Sequence, residues 1–145
     1  MMKQAVLPVV FCLLACNPYK ALRSDRVSLP AAGELSLRVP KGFREARTDN
    51  EAGGRVVRSY HYNDGTVFYV AYVPDRGDLQ PIDHAVHVPG FSSVGDTLFK
   101  ELGAFERYWR EDRKGLLRAG YVNVSKGKPE VLFDSAVNYI RRVNH

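Results

Sequence analysis

The chain is 145 residues long with a formal net charge of +5, 45% hydrophobic and 26% charged residues, the size and balance of one globular domain built around a single core. That hydrophobic content excludes a disordered polyelectrolyte. With Cys12 and Cys16 as its two cysteines, the chain is also no disulfide-stapled scaffold and holds no zinc site built on several thiolates.

In chain order, Met1-Met2-Lys3-Gln4 is followed by an apolar stretch over residues 5–14 and then Ala15-Cys16. A short basic start, a greasy centre and a small residue at the cut are the anatomy of an export signal over residues 1–15. The apolar stretch falls well short of the ~20 residues that cross a bilayer. Leu13-Leu14-Ala15-Cys16 resembles the bacterial lipobox. An ordinary secretory cut wants small residues at the cut and two positions before it, and Leu13 is bulky. The resemblance implies cleavage before Cys16, a diacylglyceryl group on its sulfur and an acylated amine. Several acyl chains, at about 0.8 kcal/mol per buried methylene, give stable attachment.

It follows from the resemblance that Cys16 is the lipid-attachment residue and that the protein sits in the cell envelope, facing the periplasm or the exterior. Asn17 in place of aspartate after the cysteine favours the outer membrane where a cell has two. The membrane is then one partner, and nucleic acid is not an expected one. Since Cys12 leaves with the signal, the mature domain keeps no thiol, and its stability must come from its core.

Residues 17–26 are polar and basic apart from Tyr19, Ala21 and Leu22, so residues 16–26 read as lipidated terminus and tether, and 27–145 as one domain. Leu35, Leu37 and Val39 alternate over residues 33–39, the period of a half-buried strand, which Pro40-Lys41-Gly42 ends. Residues 55–62 and 66–73 are rich in β-branched and aromatic types around Asn63-Asp64-Gly65, and they predict a hairpin. Val56, Tyr60 and Tyr62 share one face of its first strand; Val67, Tyr69, Ala71 and Val73 share one face of its second. Val57, Phe68, Val70 and Tyr72 make the opposite face apolar as well, so the sheet should be covered on both sides.

Residues 74–90 hold three prolines and two glycines, the marks of a long connection. Ser93-Val94-Gly95-Asp96 resembles a capping box, and Val94, Leu98 and Leu102 recur near helical spacing, which predicts a short helix closed by Gly103. Residues 105–111 and 116–124 predict a second hairpin through Asp112-Arg113-Lys114-Gly115. Phe133, Ala136, Val137, Ile140 and Val143 form one helical stripe, with Asp134 as N-cap and Arg141 and Arg142 at the negative end of the dipole.

The fold class is therefore α+β: a single domain of about five or six mostly antiparallel strands, two hairpins among them, with a C-terminal helix packed on the sheet. The strand running into Val39-Pro40-Lys41-Gly42-Phe43, the two hairpins and the Phe133-Asp134 helix resemble the PsbP-like fold of several small bacterial lipoproteins. That resemblance covers residues 33–143 as a pattern.

Few residues carry recognisable chemistry. Asp83-His84-Ala85-Val86-His87, with Asp78 nearby, places two imidazoles in the long connection. A catalytic zinc needs three convergent ligands, and His61 lies on a different strand. Gly90-Phe91-Ser92-Ser93-Val94-Gly95 fails as a nucleophile elbow, because Val94 stands where the second glycine belongs. Ser125-Lys126-Gly127-Lys128-Pro129 lacks both ends of a phosphate-binding loop and reads as an exposed turn. Glu106, Glu111 and Asp112 lie beside several arginines, so ion pairing is their expected fate. No catalytic residue, metal ligand or cofactor is assigned.

The second hairpin also carries Tyr108, Arg113 and Lys114 beside Arg107, Trp109, Arg110 and Arg118, the last four being the candidate ligand surface for a protein or anionic envelope partner. Strand alternation sends Arg107 and Trp109 one way and Tyr108 and Arg110 the other. The sequence thus leads to a membrane-tethered, non-catalytic binding module. The alternatives are a small envelope hydrolase or metal-dependent enzyme using residues 74–95, and an immunity or chaperone-like binder of a toxin or secreted protein.

Overall fold

The computed structural model describes residues 21–75, 82, 97–103 and 106–144. Strands β1 (Leu22–Leu29), β2 (Gly33–Pro40) and the two-residue β9 (Arg141–Arg142) make a small sheet in the order β1-β2-β9. Strands β3 (Glu45–Asn50), β4 (Val56–His61), β5 (Val67–Tyr72), β6 (Thr97–Leu102), β7 (Arg107–Lys114) and β8 (Leu117–Ser125) make a larger one, ordered β3-β4-β5-β8-β7-β6. Every pairing is antiparallel. With the α-helix α1 (Lys128–Tyr139) beside these strands, the described residues make an α+β domain.

Both expected hairpins form. In the first, Tyr60 faces Phe68 and Val57 faces Ala71, so alternate residues feed two separate cores. On the inner face Tyr60, Phe68, Val70, Tyr121 and Val124 pack with α1 and with Leu35, Leu37 and Val39 of β2. On the outer face Val57, Tyr69, Ala71, Val73, Trp109 and Val122 pack with Ile82. The large sheet is thus apolar on both sides, as its sequence predicts.

In the second hairpin Lys114 pairs with Leu117, leaving a two-residue connection whose first member, Gly115, takes φ +60. Positive φ there suits the right-handed twist of paired strands. The expected four-residue turn is corrected accordingly: Asp112, Arg113 and Lys114 belong to β7. The register shifts between Tyr108 and Arg110, where Val122 and Asn123 together oppose Trp109. Asn123 absorbs the extra residue at φ +61. This bulge resets the alternation, so Tyr121 and Val124 both reach the inner core.

Four further expectations are corrected. The tether is shorter than residues 16–26, because Leu22–Leu29 pair along their whole length with β2. β1 hid its period: alternate positions inward of Val27 and Leu29 are Asp25, bonded to Tyr60, and Arg23, over the Phe43 ring. Residues 97–102 are not helical but form β6 against β7; pairing with an open strand edge outweighs a weak helical spacing. The capping-box residues 93–96 lie outside the described residues.

The helix begins at Lys128, not near Asp134, with Gly127 preceding it at φ +97 and Pro129 in its first turn, where a missing N–H costs nothing. Asp134 instead faces the sheet. Finally, the described residues form nine strands where five or six were expected. The additions β3 and β9 carry no apolar period; β3 is a polar edge strand, exposed except for Ala46, as suits an edge.

Candidate functional site

The second hairpin holds the densest electrostatics. Arg110 is buried between the large sheet and α1. Its guanidinium makes two bonds to Asp112, at 2.9 and 2.8 Å, one to Asp134 Oδ1 at 2.9 Å and one to Asn138 Oδ1 at 2.7 Å. Tyr121 donates to the same Asp134 oxygen at 2.8 Å. Burial works against the Arg110 charge, and the two aspartates outweigh it, so its pKa is raised. Burial and Asp134 likewise push the Tyr121 phenol up.

On the outer face Glu111 is completely buried. It accepts from Arg113 Nε at 2.7 Å, Tyr69 OH at 2.7 Å and the Ile82 amide at 3.2 Å, with Arg118 Nη1 at 3.7 Å. Gly120, opposite Glu111, makes this possible: a Cβ there would stand 2.1 Å from the Arg110 carbonyl and 2.8 Å from the Tyr69 hydroxyl. The carboxylates named from sequence are therefore ion-paired, and Glu106 too lies 3.9 Å from Lys126.

These facts divide the four residues of the candidate ligand surface. Trp109 is in the outer core, Arg118 is buried beside Glu111 and Arg110 is sealed under the helix. Only Arg107 is partly open, at the far end of its strand, 4.0 Å from Asp64 and donating to the Asn123 carbonyl at 3.2 Å. The four do not converge. Of the other sequence candidates, Asp78, Asp83, His84, His87 and Ser92 lie outside the described residues.

His61 is described, and its Nε2 lies 2.9 Å from Ser59 Oγ, a spacing suggestive of a nucleophile and its base. The same nitrogen also faces Arg47 Nε at 3.0 Å, Ser59 is 6% exposed, and β4 is paired on both edges. Its amides serve the two ladders and none is aimed at an oxyanion. Among the described residues no group of three His, Cys, Asp or Glu could hold a metal ion, and no helix is long and apolar enough to cross a membrane.

What the fold does assemble is a cleft of about 820 Å³ between the β7–β8 tip, the end of α1 and β9, within the range of ligand sites. Leu35, Val70, Leu117, Ala119, Val137 and Ile140 give it an aliphatic floor, and Lys114, Arg141 and Arg142 stand around it. All three cations are exposed, and among the described residues none is paired with a carboxylate. Arg141 instead donates to the carbonyls of Asn138 and Ile140 at 2.8 and 2.9 Å, capping the helix end. Asp112 also lines the cleft, with its charge taken up by Arg110.

Sequence reasoning found part of this group. It set Lys114, Arg113 and Arg118, which also line the cleft, on the cationic hairpin, but read Arg141 and Arg142 only as dipole partners, and the pairing of β9 with Leu35 and Ser36 brings them all to one cleft. No protein-family model, curated protein or solved structure matches this chain.

Proposed function

We propose that this protein is a lipid-anchored module of the cell envelope that holds an anionic envelope ligand without transforming it. The single observation that carries the proposal is the cleft: an aliphatic floor bordered by Lys114, Arg141 and Arg142, groups that bind and orient an acidic, partly apolar surface. The lipobox-like Leu13-Leu14-Ala15-Cys16 supplies the attachment, with Cys16 as anchor and no role in chemistry. The likeness of residues 33–143 to PsbP-like lipoproteins agrees with a tethered binding role.

Two measurements on the full chain in a bacterial host test the two halves. Wild type should take up labelled fatty acid and fractionate with membranes, and Cys16→Ser should do neither; membrane retention of that variant beside an unlabelled wild type would refute the anchor. A photo-crosslinking residue in place of Asn138, beside the cleft, should capture a ligand in cells, and Lys114→Glu with Arg142→Glu should abolish capture. If no adduct forms, or if it survives charge reversal, the cleft is not the binding site.

A further inference from the structure

The corrected start of β1 fixes which end of the domain lies near the membrane. With Cys16 lipidated and β1 beginning at Leu22, six residue steps separate anchor from sheet, at most about 20 Å of extended chain. Leu22 pairs with Pro40, and the Lys41 amide donates to the Ala21 carbonyl at 2.7 Å. The turn over residues 40–44 therefore lies at the anchored end. So does the β4–β5 turn, since Tyr62 OH donates to the Pro40 carbonyl at 2.6 Å, and so does the start of α1, since Pro129 shares a hollow with Gly42 and Tyr62. β1 runs seven steps away from this end, about 24 Å, and the cleft with β9 lies toward its other end.

The anchored end is basic. Arg23, Lys41, Arg44 and Lys128 are exposed there, and among the described residues none is paired with a carboxylate. Glu45 and Glu130 oppose them, while Lys126 with Glu106 and Arg107 with Asp64 offset one another. Phe43 lies in the same turn, half-buried, with the Arg23 guanidinium 5.3 Å from its ring centroid. A basic face held within about 20 Å of a bilayer by its own covalent tether meets anionic headgroups at high local concentration.

We infer that the face carrying Arg23, Lys41 and Arg44 docks on an anionic bilayer surface, so that the cleft points away from the membrane. The inference rests on the lipid-anchor reading of the previous subsection. It adds a second contact with the membrane, electrostatic where the first is hydrophobic, and it gives the domain one orientation.

Energy transfer tests it on the mature lipoprotein reconstituted in vesicles. The thioether at Cys16 leaves no competing thiol, so Ser24→Cys, near the basic face, and Asn138→Cys, beside the cleft, each carry a donor dye. Acceptor dye is placed on the headgroups of vesicles made of phosphatidylcholine alone or mixed with phosphatidylglycerol. In the anionic vesicles transfer from position 24 should exceed that from position 138 about twofold or more. The difference should collapse in the neutral vesicles, in roughly 1 M salt, where the Debye length is about 3 Å, and in the variant combining Arg23→Gln, Lys41→Gln and Arg44→Gln.

Equal transfer from the two positions in anionic vesicles, greater transfer from position 138, or a difference that survives the triple variant overturns the docking and leaves the anchor standing. Failure of wild type to float with either vesicle overturns the anchor, and the docking with it.

Discussion

Glu111 shows how one residue can govern a region without touching solvent. A carboxylate removed from water is tolerated only when its lone pairs are filled, and here Arg113, Tyr69 and the Ile82 amide fill them, with Arg118 close by. The arrangement depends on Gly120 lacking a side chain. Removing one partner of a buried pair leaves the others uncompensated, so Glu111→Gln should destabilise the domain by about 3–5 kcal/mol. Urea unfolding followed by Trp109 fluorescence checks this, and a loss well under 1 kcal/mol would mean that the two arginines find other partners. Ile82 lies within the long connection after β5, so the same carboxylate ties that connection to the outer core.

At the scale of elements, β1 is the strand whose attachment is least apparent from its composition. Val27 and Leu29 reach the inner core, and farther along the strand its hold on the large sheet is polar: Asp25 Oδ2 accepts from Tyr60 OH at 2.5 Å and from Arg58 Nη2 at 3.4 Å. Burial and the Asp25 hydrogen bond push the Tyr60 phenol up to about 12, so it remains a donor at any physiological pH. Tyr60→Phe should cost about 1–2 kcal/mol and should raise amide exchange across residues 22–29 more than across β5 or β8. Uniform exchange over all strands would show that β1 is held chiefly by its ladder to β2. The bulge in β8 works at the same scale, since without Asn123 in the left-handed region Val124 would leave the inner core.

For the whole molecule, two of the described groups, of opposite charge and with the same direction of shift, link stability to pH. Burial and then Arg47 lower the His61 pKa from 6.5. Between the lowered value and 6.5 the unfolded chain binds more protons, so the contribution of His61 is complete above about pH 7 and falls away as pH drops through that window. For Asp25, burial alone would raise the carboxyl; hydrogen bonds from Tyr60, the Arg26 amide and Arg58 outweigh it and hold the pKa below 3.8. Its contribution is present above that value and is lost in stronger acid. Thermal melts should therefore show a shoulder of lost stability below about pH 6.5 and a second decline below about pH 4. His61→Gln should remove the first and leave the second, and persistence of both would assign the shoulder to another group. The molecule is polar in a second sense as well, with a basic face at the start of β1 and the cleft toward its far end.

Sequence alone determined the features that rest on local chemistry. The faces of β2, β4 and β5 follow from a period of two, and the stripe of Phe133, Ala136 and Val137 follows from a period of 3.6, although its expected continuation through Ile140 to Val143 fails because α1 ends at Tyr139. The α+β class came from the order of those elements. Tertiary structure decided everything that depended on a partner distant in the chain. β1 pairs with β2 although Asp25 interrupts its period, residues 97–102 extend against β7, and Asp134 leaves its expected cap to serve Arg110. The candidate ligand surface is divided for the same reason: Trp109 and Arg110 look like exposed contacts until the outer core and Asp134 claim them, while Arg118, buried beside Glu111, lines the cleft. Lys114 and Arg142 meet only because β9 pairs with β2. Hydrophobic period is written in neighbouring residues, whereas a buried charge or a cleft is defined by what the rest of the chain brings to it.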